Sequence, residues 1–152
     1  MQTNIINRQS SLAIDDARIK RVVEAVLDFE DCVCDEVSIT FVDTEEICKL
    51  HEQFFNDPSP TDCISFPIDQ NQKLGYQFLG EVFVCPKIAI DYVHKNEDIS
   101  QDPYIETSLY VAHGLLHLLG YDDIKEDDQK VMRSKENAIM QQLIKHNLTL
   151  HS

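Results

Sequence analysis

Between Ala13 and Phe29 the apolar residues Ile19, Val22, Val23, Val26 and Leu27 return every three or four positions, the period of a helix that buries one face. Residues 4–8 suggest a short strand, and Val37 to Val42 (VSITFV) alternates with β-branched residues, which predicts a second. Asp43 and Thr44, followed by Glu45 and Glu46, form a capped, acid-rich start for a helix running to Phe55. Pro58 and Pro60 cannot continue that helix, so Asn56 to Pro60 is a loop. Cys63–Phe66 and Leu79–Val84 read as two further strands joined by the polar segment Asp69–Gly75. Pro86 opens a helix to His94, and Asp102-Pro103 opens another through the first-turn preference for proline. Its expected buried stripe is Ile105, Leu109, Ala112, Leu116 and Leu119. A last helix runs from Glu126 to Ile144 with Met132, Ile139 and Leu143 inward. This order predicts an α+β fold: a single domain, 1–152, with a small, mostly four-stranded mixed sheet packed with several helices.

Composition narrows the setting. At 152 residues and 43% hydrophobic the chain can bury a core, yet it holds no run of about 18 apolar residues that would span a bilayer. The opening MQTNIINRQS lacks the basic and apolar regions of a secretory signal, so a cytoplasmic location is expected, with no membrane partner. Five cysteines, an odd number without framework spacing, fit that location. Cys32 and Cys34 have no second pair to complete a thiolate metal site and read as small residues preceding a strand. A net charge of −14 argues against a protein that coats nucleic acid, because such binding depends on Lys and Arg neutralising phosphates. The tightest basic group, Arg18, Lys20 and Arg21, reads as a solvated helix face.

The chemistry concentrates in residues 113–123, HGLLHLLGYDD. His113 and His117, one helical turn apart, project from the same face with Cβ atoms about 5–6 Å apart. Both ring nitrogens can then reach one metal ion. The alternative is a pair of flank histidines satisfied by water or carbonyls. Gly114 removes a side chain beside His113, so that another segment or a substrate can approach. Gly120 sits where a left-handed residue would end the helix and turn Asp122 or Asp123 back toward the pair. Two histidines, one carboxylate and an open position make a catalytic rather than a structural zinc set. A metalloprotease of H-E-x-x-H type would need a glutamate at position 114, which is glycine. His51, His94, His146 and His151 show no grouping and read as surface residues.

These residues resemble the signature H-G-x-L-H-L-x-G-Y-D-H of the YbeY family, matching at eight of its nine specified positions. Pro60-Thr61-Asp62-Cys63-Ile64-Ser65 with Phe66-Pro67 is similar to the family's P-T-D-V-L-S-F-P, and Leu79-Gly80-Glu81 to its L-G-D. The resemblance implies a zinc-dependent, single-strand-specific endoribonuclease. Its implied role is rRNA processing, including late maturation of the 16S rRNA 3′ end, and ribosome assembly and quality control. His113, His117 and Asp123 would be the catalytic and metal-binding residues and hold one Zn2+ per chain. Asp123 takes the place of the family's third histidine, while Asp122 would orient or cap. Thr61 and Ser65 offer hydroxyls that would hydrogen-bond the substrate or, alternatively, serve turn and strand-entry hydrogen bonds. The implied partners are precursor rRNA in the immature small ribosomal subunit and ribosomal or ribosome-associated proteins. The family's arginine before P-T-D falls on Phe55, which leaves Lys49 or Lys87 to substitute. Two alternatives stand beside this reading: a non-catalytic ribosome-assembly factor that keeps the metal fold, and a metal hydrolase of other substrates.

Overall fold

In the computed structural model, which describes residues 1–68, 75–96 and 102–152, four strands and five helices follow one another along the chain. They are β1 (Gln2–Arg8), α1 (Asp16–Phe29), β2 (Glu36–Val42), α2 (Thr44–Phe55), β3 (Cys63–Pro67), β4 (Phe78–Val84), α3 (Pro86–Lys95), α4 (Pro103–Leu118) and α5 (Glu126–Lys145). Most of the expected connection over Asp69–Gly75 lies outside the described residues. The sheet has the order β1-β2-β4-β3, with β1, β2 and β4 parallel and β3 antiparallel to β4. The expected α+β architecture with a mixed four-stranded sheet is therefore present.

Alternation along the strands separates two cores. Val37, Ile39 and Phe41 of β2 and Val82 and Val84 of β4 join the apolar faces of α1, α4 and α5 in the larger one. The smaller core gathers Val42, Ile64, Phe83 and Cys85 around Ile47 and Leu50 of α2. Helices thus cover both faces, which is why all of β2 after Glu36 is buried. Caps set the helix starts: Asp43 accepts from Glu46 N at 2.8 Å and Asp102 from Tyr104 N at 2.8 Å. α1 begins at Asp16 rather than near Ala13, because Asp15 takes the capping position and accepts from Ala17 N.

Two expectations need correction. α4 is not an amphipathic helix with one buried stripe. Val111, Ala112, Leu115 and Leu116 are fully buried, whereas Ile105, Leu109 and Leu119 are only partly covered. The helix is packed against β3, β4, α1, α3 and α5, so apolar residues surround most of it. Arg18 is not on a solvated face either. It is buried, and its guanidinium donates to the carbonyls of Asn147 and Thr149, tying the tail to α1.

Gly114 marks the closest approach of α4 to the sheet. A Cβ there would lie 2.4 Å from Val82 Cγ1 and 3.3 Å from Ser65 Oγ, and the Ser65 hydroxyl donates to Gly114 O at 3.0 Å. The space left by this glycine is therefore filled by the side chains of β4 and β3. Gly114→Ala must push helix from sheet. Its expected cost is about 1–3 kcal/mol, typical of overpacking. Calorimetry should read this as a Tm lower by roughly 2–10 °C; an unchanged Tm would contradict this packing.

Candidate metal centre

The site is built at the C-terminus of α4, where the helix stops in a Schellman turn. Gly120 N donates to His117 O at 3.0 Å and Tyr121 N to Leu116 O at 3.1 Å, with Gly120 at φ +102°. A side chain at position 120 would strain that conformation. The turn also returns the carbonyl of Tyr121 to His117, whose Nδ1–H donates to it at 2.9 Å. Asp122 Oδ1 then accepts from Asp123 N at 2.7 Å and Ile124 N at 3.2 Å, an Asx turn that aims Asp123 inward. Asp122 caps, as its place in the sequence suggested.

His113, His117 and Asp123 come together as expected, with their ligand atoms all within 4.8 Å of one another. The two Nε2 atoms are 3.0 Å apart, and Asp123 Oδ2 is 3.5 Å from each. Behind the pair, His113 Nδ1 bonds the carboxylate of Glu136 on α5 and His117 Nδ1 bonds the Tyr121 carbonyl. An acceptor at each Nδ1 fixes the proton there, which leaves both Nε2 atoms with lone pairs facing the same point as a carboxylate. Three electron-rich atoms so close repel one another unless a cation sits among them. The donor set of two imidazoles and one carboxylate suits a divalent transition metal with an open position. Two bonds of zinc length meeting at a tetrahedral angle would put the nitrogens about 3.3 Å apart. The residues present therefore fit a metal.

Among the described residues, the triad opens on a cleft of about 480 Å3 whose lining includes His51, Phe55, Thr61, Asp62, Ser65 and Ile124. Thr61 and Ser65 lie in this cleft, with the Ser65 proton directed at Gly114 O. Lys49 and Lys87 do not line it; they pair with Glu45 and Asp91 on their own helices. The basic side chain beside the triad is Arg133 of α5, which lines an adjoining cavity with His113, Asp123 and Glu136. Tyr121 is turned away, its ring beneath the Lys135 ammonium. Two participants were not anticipated. His51 is held in the cleft by Ser59 O at 2.8 Å, although it reads as a surface residue. Glu136 orients His113, and its sequence signal was a carboxylate spaced 4 and 3 from Met132 and Ile139 on the buried face of α5.

Burial works to lower the pKa of His113, but the Glu136 hydrogen bond and charge, with Asp62 and Asp123 nearby, outweigh it and raise the value. A raised folded-state pKa stabilises the metal-free protein below the ordinary imidazole value. That contribution is lost as pH rises through the raised one. Metal needs the unprotonated ring, so it gains as the proton leaves. The Tm gained on adding a divalent metal is therefore expected to grow between about pH 6 and pH 8; differential scanning fluorimetry giving a gain flat with pH would contradict these ligands. Glu136→Ala frees the His113 ring and is expected to weaken metal binding about 10–100-fold in a chelator competition, with Glu136→Gln losing less. Equal affinities for all three proteins would remove Glu136 from the site.

Similarity to known proteins points the same way. The family model described as Endoribonuclease YbeY matches residues 4–144. A Protochlamydia amoebophila protein of that name is 49% identical over 145 residues, covering 95% of this chain and 95% of that one. Its Chlamydia trachomatis serovar D namesake is 37% identical over 151 residues, covering 98% and 92%. The solution structure of a Thermotoga maritima protein, 24% identical, shares the fold with a TM-score of 0.60 over 91% of this chain and 87% of that one. With the helix, the glycine turn and the converging ligands in place, these matches establish that the chain belongs to the YbeY family.

Proposed function

We propose that this chain is a zinc-dependent, single-strand-specific endoribonuclease that acts in rRNA processing, including maturation of the 16S 3′ end, and in ribosome assembly. The observation that carries the reading is the convergence of His113 Nε2, His117 Nε2 and Asp123 Oδ2 on a cleft in a chain of this family. These three residues would hold the ion. When bound, zinc supplies Lewis-acid polarisation of a phosphate oxygen and a more acidic water at neutral pH.

The chain's own groups do the rest. Glu136 and the Tyr121 carbonyl hold both imidazoles in the tautomer that ligates. The Thr61 hydroxyl, on the cleft wall, donates to a phosphate oxygen as its charge grows. Ser65 holds α4 against β3 through Gly114 O and keeps its lone pairs for a ribose hydroxyl. Arg133 makes no ion pair among the described residues and provides a phosphate-neutralising charge beside the triad. A net charge of −14 makes naked RNA a poor ligand, so contacts with ribosomal proteins would deliver the substrate in the cytoplasm. No helix among the described residues is long and apolar enough to cross a membrane.

A non-catalytic assembly factor with the same fold is the second reading, favoured by Phe55 and the acidic surface. His117→Ala separates the two. Cleavage of precursor 16S rRNA in immature small-subunit particles should fall at least about 100-fold, beyond what loss of an orienting residue costs. Circular dichroism and particle binding should not change. Unimpaired processing by the variant would leave only the scaffold.

A further inference from the structure

Two large apolar side chains stand exposed in the same cleft as the metal ligands. Phe55, the last residue of α2, is 56% exposed, and Ile124, next to Asp123, is 81% exposed. Phe54 is equally accessible but is tied by edge-on packing to Phe66, with centroids 4.8 Å apart. Among the described residues Phe55 has no edge-on partner of this kind; its ring pairs with His51 at 5.7 Å, tilted by 56°. His51 is in turn fixed by Ser59 O. The cleft therefore presents an exposed aromatic ring beside a histidine that is itself hydrogen-bonded.

Charge decides what can occupy it. Among the described residues the lining contains no Lys or Arg, while Asp62, Asp122 and Asp123 are present. Away from the triad and Arg133 beside it, phosphates would find no positive side chain on these walls, so a nucleic acid held here must gain from its other part. Every base has a π-face, and stacking on aromatic side chains is the sequence-tolerant way single strands are bound. Apolar side chains complete such base pockets in enzymes that act on unstacked nucleotides. Within a duplex both faces of a base are already covered.

We infer that Phe55, with Ile124, forms a subsite for an unpaired nucleobase flanking the phosphate held at His113, His117 and Asp123. The inference rests on the ribonuclease reading above for the nature of the ligand. It makes Phe55 a determinant of single-strand preference.

The test uses single-stranded 2′-O-methyl RNA heptamers carrying 2-aminopurine at each position in turn, titrated with zinc-loaded protein. Fluorescence should quench at one or two adjacent positions. Phe55→Ala should abolish that quench and weaken binding about 10-fold, whereas Phe55→Tyr should retain both. With an abasic site at the quenched position, wild type and Phe55→Ala should bind alike. Unchanged quench and affinity in Phe55→Ala would overturn the subsite and leave this surface to a protein partner. A loss in Phe55→Ala that persists on abasic RNA would also overturn it. All-ribose heptamers separate the two readings: quenched but uncut RNA retires the nuclease and keeps the subsite, while RNA cut equally by both proteins does the reverse.

Discussion

Two imidazole nitrogens facing each other at 3.0 Å, and a carboxylate 3.5 Å from both, form an arrangement that a positive charge makes favourable, a proton on one ring or a metal ion among the three. The surroundings enforce it. Each ring is locked from behind by an acceptor, and α4 is pressed to the sheet at Gly114 by Val82 and Ser65. Glu136 would itself be costly on the inner face of α5 without a partner; His113 supplies one. The site and the docking of the last helix are thus coupled through one hydrogen bond.

Local signals carried most of what was legible in the chain. The one-turn spacing of His113 and His117, the glycine after them and the carboxylates just beyond are short-range features, so the histidine pair and an acidic partner could be anticipated from residues 113–123, while the choice of Asp123 over Asp122 needed the turn geometry. The same holds for the caps at Asp43 and Asp102 and for the apolar, β-branched runs that mark the strands. Glu136 lies 23 residues from its histidine, and only its misplacement among apolar neighbours hinted at it. His51 reaches the cleft because the Asn56–Pro60 loop folds back to offer Ser59 O, a contact that helical periodicity does not encode. Arg18 looked like part of a basic surface; the carbonyls it satisfies come from the far end of the chain. The stripe on α4 misled because a helix enclosed by five elements has no solvent face to define one.

The charge balance sets the style of recognition open to this cleft. A chain with 27 acidic and 13 basic residues releases few counterions when it meets RNA, so electrostatics contributes little pull at long range. Short-range contacts must then discriminate: a guanidinium at one side, hydroxyls on the wall, an aromatic ring at the rim. Such a protein would gain selectivity at the expense of indiscriminate affinity.

The turn at Gly120 fuses two functions that proteins commonly keep apart. The hydrogen bonds that terminate α4 and the carbonyl that steers His117 belong to the same six residues, Leu116 to Tyr121. Helix length and ring orientation therefore cannot vary independently. An insertion or deletion between positions 117 and 121 would displace both at once, whereas an exchange of side chain beyond the turn would leave both intact. The backbone of this turn thus decides where the side chain at 123 enters the candidate site, whether that side chain is the aspartate found here or the histidine of the family signature.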